Sequence, residues 1–93
     1  HLQDADVRVR YAAFQALQKL PEWEGPNFTA RLVDIAVSDP DWRMRSAALT
    51  NLRYRSLAQA QAATLERALA DDDRYVREGA REVLRIWQAR RRH

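Results

Sequence analysis

The sequence has no cysteine, and its 93 residues include only two glycines and three prolines. Without cysteine, disulfide bridges and thiolate metal sites are excluded, and a reducing cytoplasm is the compatible compartment. No apolar run approaches the roughly 18 residues that a membrane-spanning helix needs. Alanine, leucine, arginine, glutamate and glutamine dominate, and all of them favour helix. The sequence therefore predicts a helical chain with no membrane partner.

Histidine is equally scarce, and its two copies, His1 and His93, stand at the two ends. No serine or threonine therefore has an internal histidine to act as its base. There is no glycine-rich phosphate loop and no calcium-loop spacing. Closely spaced acids do occur, but each cluster stands where a helix is predicted to begin. We therefore expect no enzyme activity, no cofactor, no metal site and no small-molecule substrate.

The composition is that of a folded domain, with 46% apolar and 31% charged residues. We expect residues 1–93 to form a single domain. The net charge of +3 permits an anionic partner without demanding one. The chain begins with histidine, and its first motif is already under way at Asp4. We expect it to be part of a longer protein.

Three segments of the chain align with one another without gaps. They are DADVRVRYAAFQAL (4–17), DPDWRMRSAALTNL (39–52) and DDDRYVREGAREVL (71–84). Each has aspartate at its first and third positions, arginine at the seventh and leucine at the last. Apolar residues recur at helical spacing within each segment, and aspartate suits a helix start. The pattern predicts one helix, called A, in each copy.

Two further helical stretches, called B, separate the copies: NFTARLVDIAVS (27–38) and SLAQAQAATLERALA (56–70), with Asn27 and Ser56 as candidate N-caps. The predicted order is A–B–A–B–A, five helices. Repeat 1 covers about 4–38, repeat 2 about 39–70, and a half repeat or cap about 71–91. The segment PEWEGP (21–26) lengthens repeat 1. Its Trp23 either packs over the edge of the first two helices or is presented to a partner.

The recurring core D-x-D-x-x-(V/M)-R-x-x-A-x-x-x-L resembles the short bacterial HEAT repeat, also called the HEAT-like or phycobilisome-lyase type, over about residues 4–87. The resemblance implies an all-α, right-handed α-solenoid of HEAT-like helical hairpins. It also implies a non-enzymatic scaffold or adaptor, whose partner is another protein or another domain of the same longer chain. A subunit or domain of a bilin-lyase-type enzyme is a further reading that no residue supports. Gly79 and Arg81 depart from the pattern, because other copies have alanine and an apolar residue there.

The repeated acids and arginines form three pairs at i, i+4: Asp6 with Arg10, Asp41 with Arg45, and Asp73 with Arg77. The acid-first order supports a helix start. Because the register is fixed, each arginine also comes beside an aspartate of the neighbouring repeat. The resemblance implies that these residues form an acid–arginine ladder between repeats. The alternative is that the arginines contact phosphate.

Function is expected where the copies differ. Five arginines of the last helix share one face, here called the basic face: Arg74, Arg77, Arg81, Arg85 and Arg92. This face is either solvated, with Glu78 and Glu82 as partners, or it binds an acidic protein or the phosphate backbone of nucleic acid. Nucleic-acid binding through this face is the alternative function.

Aromatic and apolar residues at copy-specific positions are the other candidate partner-binding residues. Trp42 stands where the other copies have Val7 and Arg74, and we expect it to stack on an arginine or a ligand. Phe28 and Ile35 make the first B helix apolar on a face that the second B helix leaves more polar. They either meet the PEWEGP loop or form an exposed patch suited to a partner.

Overall fold

The computed structural model describes residues 2–91, with the side chains of residues 8–21, 23 and 25–91. The five α-helices are α1 (Leu2–Leu17), α2 (Pro26–Ser38), α3 (Trp42–Leu52), α4 (Gln59–Leu65) and α5 (Arg74–Arg91). Short 3-10 segments, Pro21–Glu24 and Glu66–Ala70, precede α2 and follow α4. Residues 2–91 contain no strand. The predicted all-α order A–B–A–B–A is confirmed, with α1, α3 and α5 as A helices.

The predicted starts of several helices were wrong. Helix α1 begins at Leu2, so Asp4 lies within the helix and not before it. Helix α2 begins at Pro26 after an extended Gly25, because proline has a fixed φ and no N–H to leave unpaired. Helix α4 begins at Gln59 after an extended Ala58, whose N–H donates to Gln61 Oε1 at 2.9 Å.

The core lies where α3 packs on α2 and on α5, and where α5 packs on α4 and the 3-10 segment that follows it. Its fully buried large side chains are Leu32, Leu49, Leu52, Leu65, Val76 and Val83. Ala36, Ala48 and Ala80 are also fully buried, and these small side chains let neighbouring helices approach closely. The result is an elongated molecule with extents of 46 × 33 × 17 Å. Each helix in the described part of the chain is too short or too polar to cross a membrane.

The PEWEGP loop is packed into the molecule. Trp23 is only 8% exposed, and its ring lies between Phe14 and Phe28 at centroid distances of 5.5 and 5.4 Å. The guanidinium of Arg55 lies 4.8 Å from the Trp23 ring centroid and donates to the Trp23 carbonyl and to Thr29 Oγ1. Of the two alternatives for Trp23, the structure shows the packed one.

The additional apolar side chains of α2 also pack into the molecule. Phe28 and Ile35 are half-buried and pack against the core. Phe28 contacts Trp23, and the guanidinium of Arg31 covers its ring at 5.7 Å. Their half-burial argues against an open partner-binding patch on α2 and for the reading in which these side chains meet the loop and the core.

Candidate functional site

An ion-pair ladder runs along the A helices. Arg10 Nη1 donates to Asp39 Oδ2 at 2.9 Å. Arg45 Nη2 donates to Asp71 Oδ1 at 3.0 Å, and its Nε lies 2.9 Å from Oδ2. Both arginines thus reach the aspartate that opens the next copy. Arg45 thus brings two nitrogens to its carboxylate, an arrangement that suits the planar guanidinium, whereas Arg10 makes one contact.

The aspartates at the third position cap helices, as predicted for acids at a helix start, but they do not pair with the arginine four residues further on. Asp41 accepts from the N–H of Arg43 at 2.8 Å, and Asp73 accepts from the N–H of Val76 at 2.9 Å. Free N–H groups of a first helical turn attract a carboxylate, so these acids cap α3 and α5. The predicted pairings of Asp41 with Arg45 and of Asp73 with Arg77 are therefore corrected. The side chain of Asp6 lies outside the described residues.

A second contact of Asp41 affects its titration. The guanidinium of Arg43 donates to both carboxylate oxygens of Asp41, at 3.0 and 2.9 Å. These hydrogen bonds, with that from the Arg43 N–H, hold the pKa of Asp41 below its ordinary value against a smaller opposing effect of burial. Asp41 thus stays charged at the start of α3 in mildly acidic solution.

The basic face is interleaved with glutamates. Arg74 pairs with Glu78 at 3.0 Å, and Arg85 pairs with Glu82 at 2.6 Å. The hydrogen bonds from Arg85 lower the pKa of Glu82. This pairing leaves little uncompensated charge on these two arginines.

The other arginines of the basic face differ from this pattern. Arg77 donates from Nη1 to the carbonyls of Asp71 and Asp72, at 2.7 and 2.9 Å. Arg81 is exposed and has no hydrogen bond or ion pair to another described residue. Arg92 lies outside the described residues. The described part of the basic face is therefore not a continuous positive strip.

A groove of about 570 Å³ lies between α1 and α3. Its walls come from two A helices, with Arg8, Tyr11, Ala12 and Gln15 on α1 and Trp42, Arg43, Ser46, Ala47 and Thr50 on α3. Trp42 and Tyr11 are 41% and 40% exposed. The groove combines aromatic walls with hydroxyl and amide groups, and the charged residues in its described lining are arginines. Such a lining can take a chain segment that has both apolar and polar or acidic groups.

The aromatic surface continues from the groove onto α5. Trp42 stacks on Tyr75 with ring centroids 5.8 Å apart and planes 22° apart. Tyr75 is 63% exposed. We call Tyr11, Trp42 and Tyr75 the aromatic row, because each A helix contributes one ring to a shared surface. The partner that the structure shows for the Trp42 ring is therefore another aromatic ring, that of Tyr75.

The sequence pattern predicted a binding role for Trp42 but not for Tyr11 or Tyr75. These tyrosines do not align with Trp42, since Tyr11 aligns with Ser46 and Tyr75 with Arg43. The available indication was coarser: positions four to eight of every copy contain one aromatic residue. Neighbouring turns of stacked helices bring these unaligned rings together.

Two other features of the described residues do not form a functional site. A more polar cavity of about 500 Å³ contains Trp23, Thr29 and Arg55, but the guanidinium of Arg55 is already bonded to the loop. No cluster of carboxylates or histidines within the described part of the chain could hold a metal ion. The groove and its aromatic row are the strongest candidate for a functional site.

The comparisons with known proteins agree with this architecture. A family model described as HEAT repeats matches residues 1–85. A comparison with curated proteins and another with solved structures both return no significant match. The matched region contains all three copies of the motif and the ladder that joins them. The chain therefore belongs to the HEAT-repeat family.

Proposed function

We propose that this chain is a non-enzymatic interaction module that holds a segment of another protein in the groove between α1 and α3. The partner belongs to a separate protein or to another domain of the same longer protein. The observation that carries the proposal is the aromatic row, in which three large and partly exposed rings lie along one surface. Contiguous exposed apolar surface of this kind marks interaction sites in soluble proteins.

The state of the rings supports this use. The indole of Trp42 stacks on the ring of Tyr75, and this contact favours one orientation of the indole before a partner binds. A rigid side chain loses less conformational freedom on binding. Tryptophan and tyrosine are also the residues whose truncation most often costs about 2 kcal/mol or more at interfaces. Trp42 is therefore the residue expected to contribute most to binding.

Membership of the family supports the same class of function, because HEAT repeats commonly mediate protein–protein interaction. Three further statements remain predictions: that the chain has no catalytic activity, that it works in the cytoplasm, and that it belongs to the bacterial, phycobilisome-lyase-type subclass. The alternative function, binding of a phosphate backbone through the basic face, is tested in the same experiment as the groove.

The experiment is a selection of random peptides displayed on phage against the immobilised chain. Selected peptides are labelled, and their Kd is measured by fluorescence anisotropy for the parent chain and for Trp42→Ser. We expect binding to weaken at least about tenfold in Trp42→Ser, in line with the loss of one interface anchor. Tyr54→Ser is the matched control, because Tyr54 is 75% exposed but lies outside the groove.

Two results would contradict the proposal. One is a set of peptides that bind the parent and Trp42→Ser equally. The other is no selected peptide, together with binding of labelled duplex DNA that weakens steeply with salt and is lost in the Arg81→Glu, Arg85→Glu double variant. The second result would put nucleic-acid binding in place of protein binding.

A further inference from the structure

The ladder of arginines has one member whose acid partner is absent from the described residues. Arg45 donates from Nη1 to the carbonyl of Asp39 in its own copy at 2.8 Å, and directs Nε and Nη2 to the carboxylate of Asp71. Arg77 makes the same first contact, from Nη1 to the carbonyl of Asp71 at 2.7 Å. Its Nε and Nη2 have no partner among the described residues. The outer edge of Arg77 is therefore held in the orientation in which Arg45 binds a carboxylate.

The neighbouring Arg81 indicates what kind of partner surface could bind beside the outer edge of Arg77. Its register position is occupied by Phe14 and Leu49 in the other copies, and both of these are buried. Leu49 packs directly against α5, since a Cβ atom placed on Gly79 would lie 3.3 Å from its Cβ. In α5 the same position has an exposed arginine. An apolar helix packed there would bury an unpaired guanidinium at high cost.

We infer that the outer face of α5 binds a partner helix that carries two carboxylates one turn apart, one for Arg77 and one for Arg81. The two arginines are themselves four residues apart on α5, which corresponds to a rise of about 6 Å. Acids at i and i+4 of another helix have the same spacing. This surface is separate from the groove, and we call Arg77 and Arg81 the terminal arginine pair.

The surroundings of the pair favour discrete acids over a phosphate chain. Glu78 and Glu82 already neutralise Arg74 and Arg85 on the flanks. Charge therefore alternates in sign along the face. A continuous phosphate backbone would be repelled by these glutamates, whereas two positioned carboxylates would meet only the terminal arginine pair. Arg77 is half-buried, so its contact would be partly shielded from solvent, as in the pair of Arg45 and Asp71.

The experiment is an NMR titration of the ¹⁵N-labelled chain that follows the Nε–Hε groups of its arginines. The probe is an alanine-rich helical peptide of about 17 residues with two aspartates four residues apart. The matched probe has asparagine at both positions. We expect the Arg77 and Arg81 resonances to shift together with one Kd, and the asparagine peptide to bind at least about tenfold more weakly.

Variants test which residues carry the binding. Arg81→Gln removes an exposed guanidinium without touching the ladder, and we expect it to weaken binding about tenfold. Arg31→Gln is the charge-matched control on α2 and should change the Kd less than about twofold. Trp42→Ser should leave this binding intact, which separates the inference from the groove.

Four results would overturn the inference. The first is an equal response to the aspartate and asparagine peptides, and the second is no response to either. The third is the same shifts at Arg77 and Arg81 with inorganic phosphate at equal concentration, which would identify a general anion site. The fourth is a dimer in sedimentation that is lost in Arg81→Gln, which would make the occupant a second copy of this chain.

Discussion

At the scale of single residues, the aspartates at the first and third positions of the motif have different structural roles. Asp39 and Asp71 receive an arginine of the preceding copy, and each also accepts the N–H two residues further on at 2.9 Å. Asp41 and Asp73 cap the helices that follow. Spacing along the sequence predicted Asp41 as the local partner of Arg45, and the fixed register placed an aspartate of the neighbouring repeat beside the same arginine without identifying which one. The true partner, Asp71, is 26 residues away and becomes adjacent only when the repeats stack.

Asp71→Ala is predicted to lower the free energy of unfolding by about 2–3 kcal/mol. The change leaves the half-buried guanidinium of Arg45 and the N–H of Asp73 without their acceptor. Urea denaturation followed by circular dichroism measures the loss. Glu78→Ala is the control, because it breaks an exposed pair with Arg74 that contributes about 0.5 kcal/mol or less. Equal losses in the two variants would mean that burial does not distinguish these ion pairs.

Asp41→Asn is predicted to change how stability depends on pH. The folded chain holds the pKa of Asp41 below its ordinary value of 3.8, so its stabilising effect is complete above that value and is lost as the pH falls through the lower folded pKa. Asparagine still caps a helix but does not titrate. The stability difference between parent and variant should therefore shrink as the pH falls below 3.8 and through the lower pKa of the folded chain. Urea titrations across this range measure it, and a constant difference would contradict the assignment.

At the scale of elements, α5 differs from the other A helices on two of its sides. Gly79 faces α3 and lies against Leu49, while Arg81 points away from the core. The sequence marked both residues as departures from the motif. It could not assign a reason to either, because the side of α5 that meets α3 depends on how the repeats stack. The packing of Trp23 under Arg55 was open for the same reason, since Arg55 is 32 residues further along the chain.

Gly79→Ala is predicted to lower the free energy of unfolding by up to about 2 kcal/mol. In an exposed helix the change would stabilise by about 1 kcal/mol. Here the new methyl group would lie 3.3 Å from Leu49 Cβ and 3.4 Å from its Cδ1, and overpacking typically costs about 1–3 kcal/mol. Thermal unfolding gives the sign directly. A rise in Tm would mean that α5 can move away from α3 at little cost.

At the scale of the whole molecule, each helix depends on its neighbours, and the described part of α1 has a side chain exposed where the other A helices have one buried. Val9 is 67% exposed, whereas Met44 and Val76, at the same register position of the other copies, are buried. Among the described residues of α1, Phe14 and Leu17 pack on the core, and Arg10 pairs with Asp39. In a stack of this kind, stability is roughly a sum of repeat and interface contributions.

We therefore predict a gradient of local stability along the chain. Amide hydrogens of α1 should exchange through local opening, well before those of α3, whose exchange should require global unfolding. Hydrogen–deuterium exchange with mass spectrometry measures this by segment. As a matched test, Val76→Ala should cost about 2 kcal/mol and Val9→Ala close to none. Uniform protection from α1 to α5 would instead indicate one cooperative unit.

The fold was predictable because three copies of a motif that align without gaps indicate a stack of repeats, and the copies are visible in the sequence itself. The groove was not predictable to the same degree. Its walls come from two copies, and its rings occupy different positions of the motif. A repeat pattern reports what the copies share, whereas the groove is formed by what they do not share.

The ladder also gives the stack a direction. Both described rungs donate from an arginine to an aspartate further along the chain, so the ladder is polar. Two such modules that met symmetrically at Arg77 would bring guanidinium against guanidinium. An acidic group is therefore the complement of the ladder at its α5 end, and a second Arg77 is not.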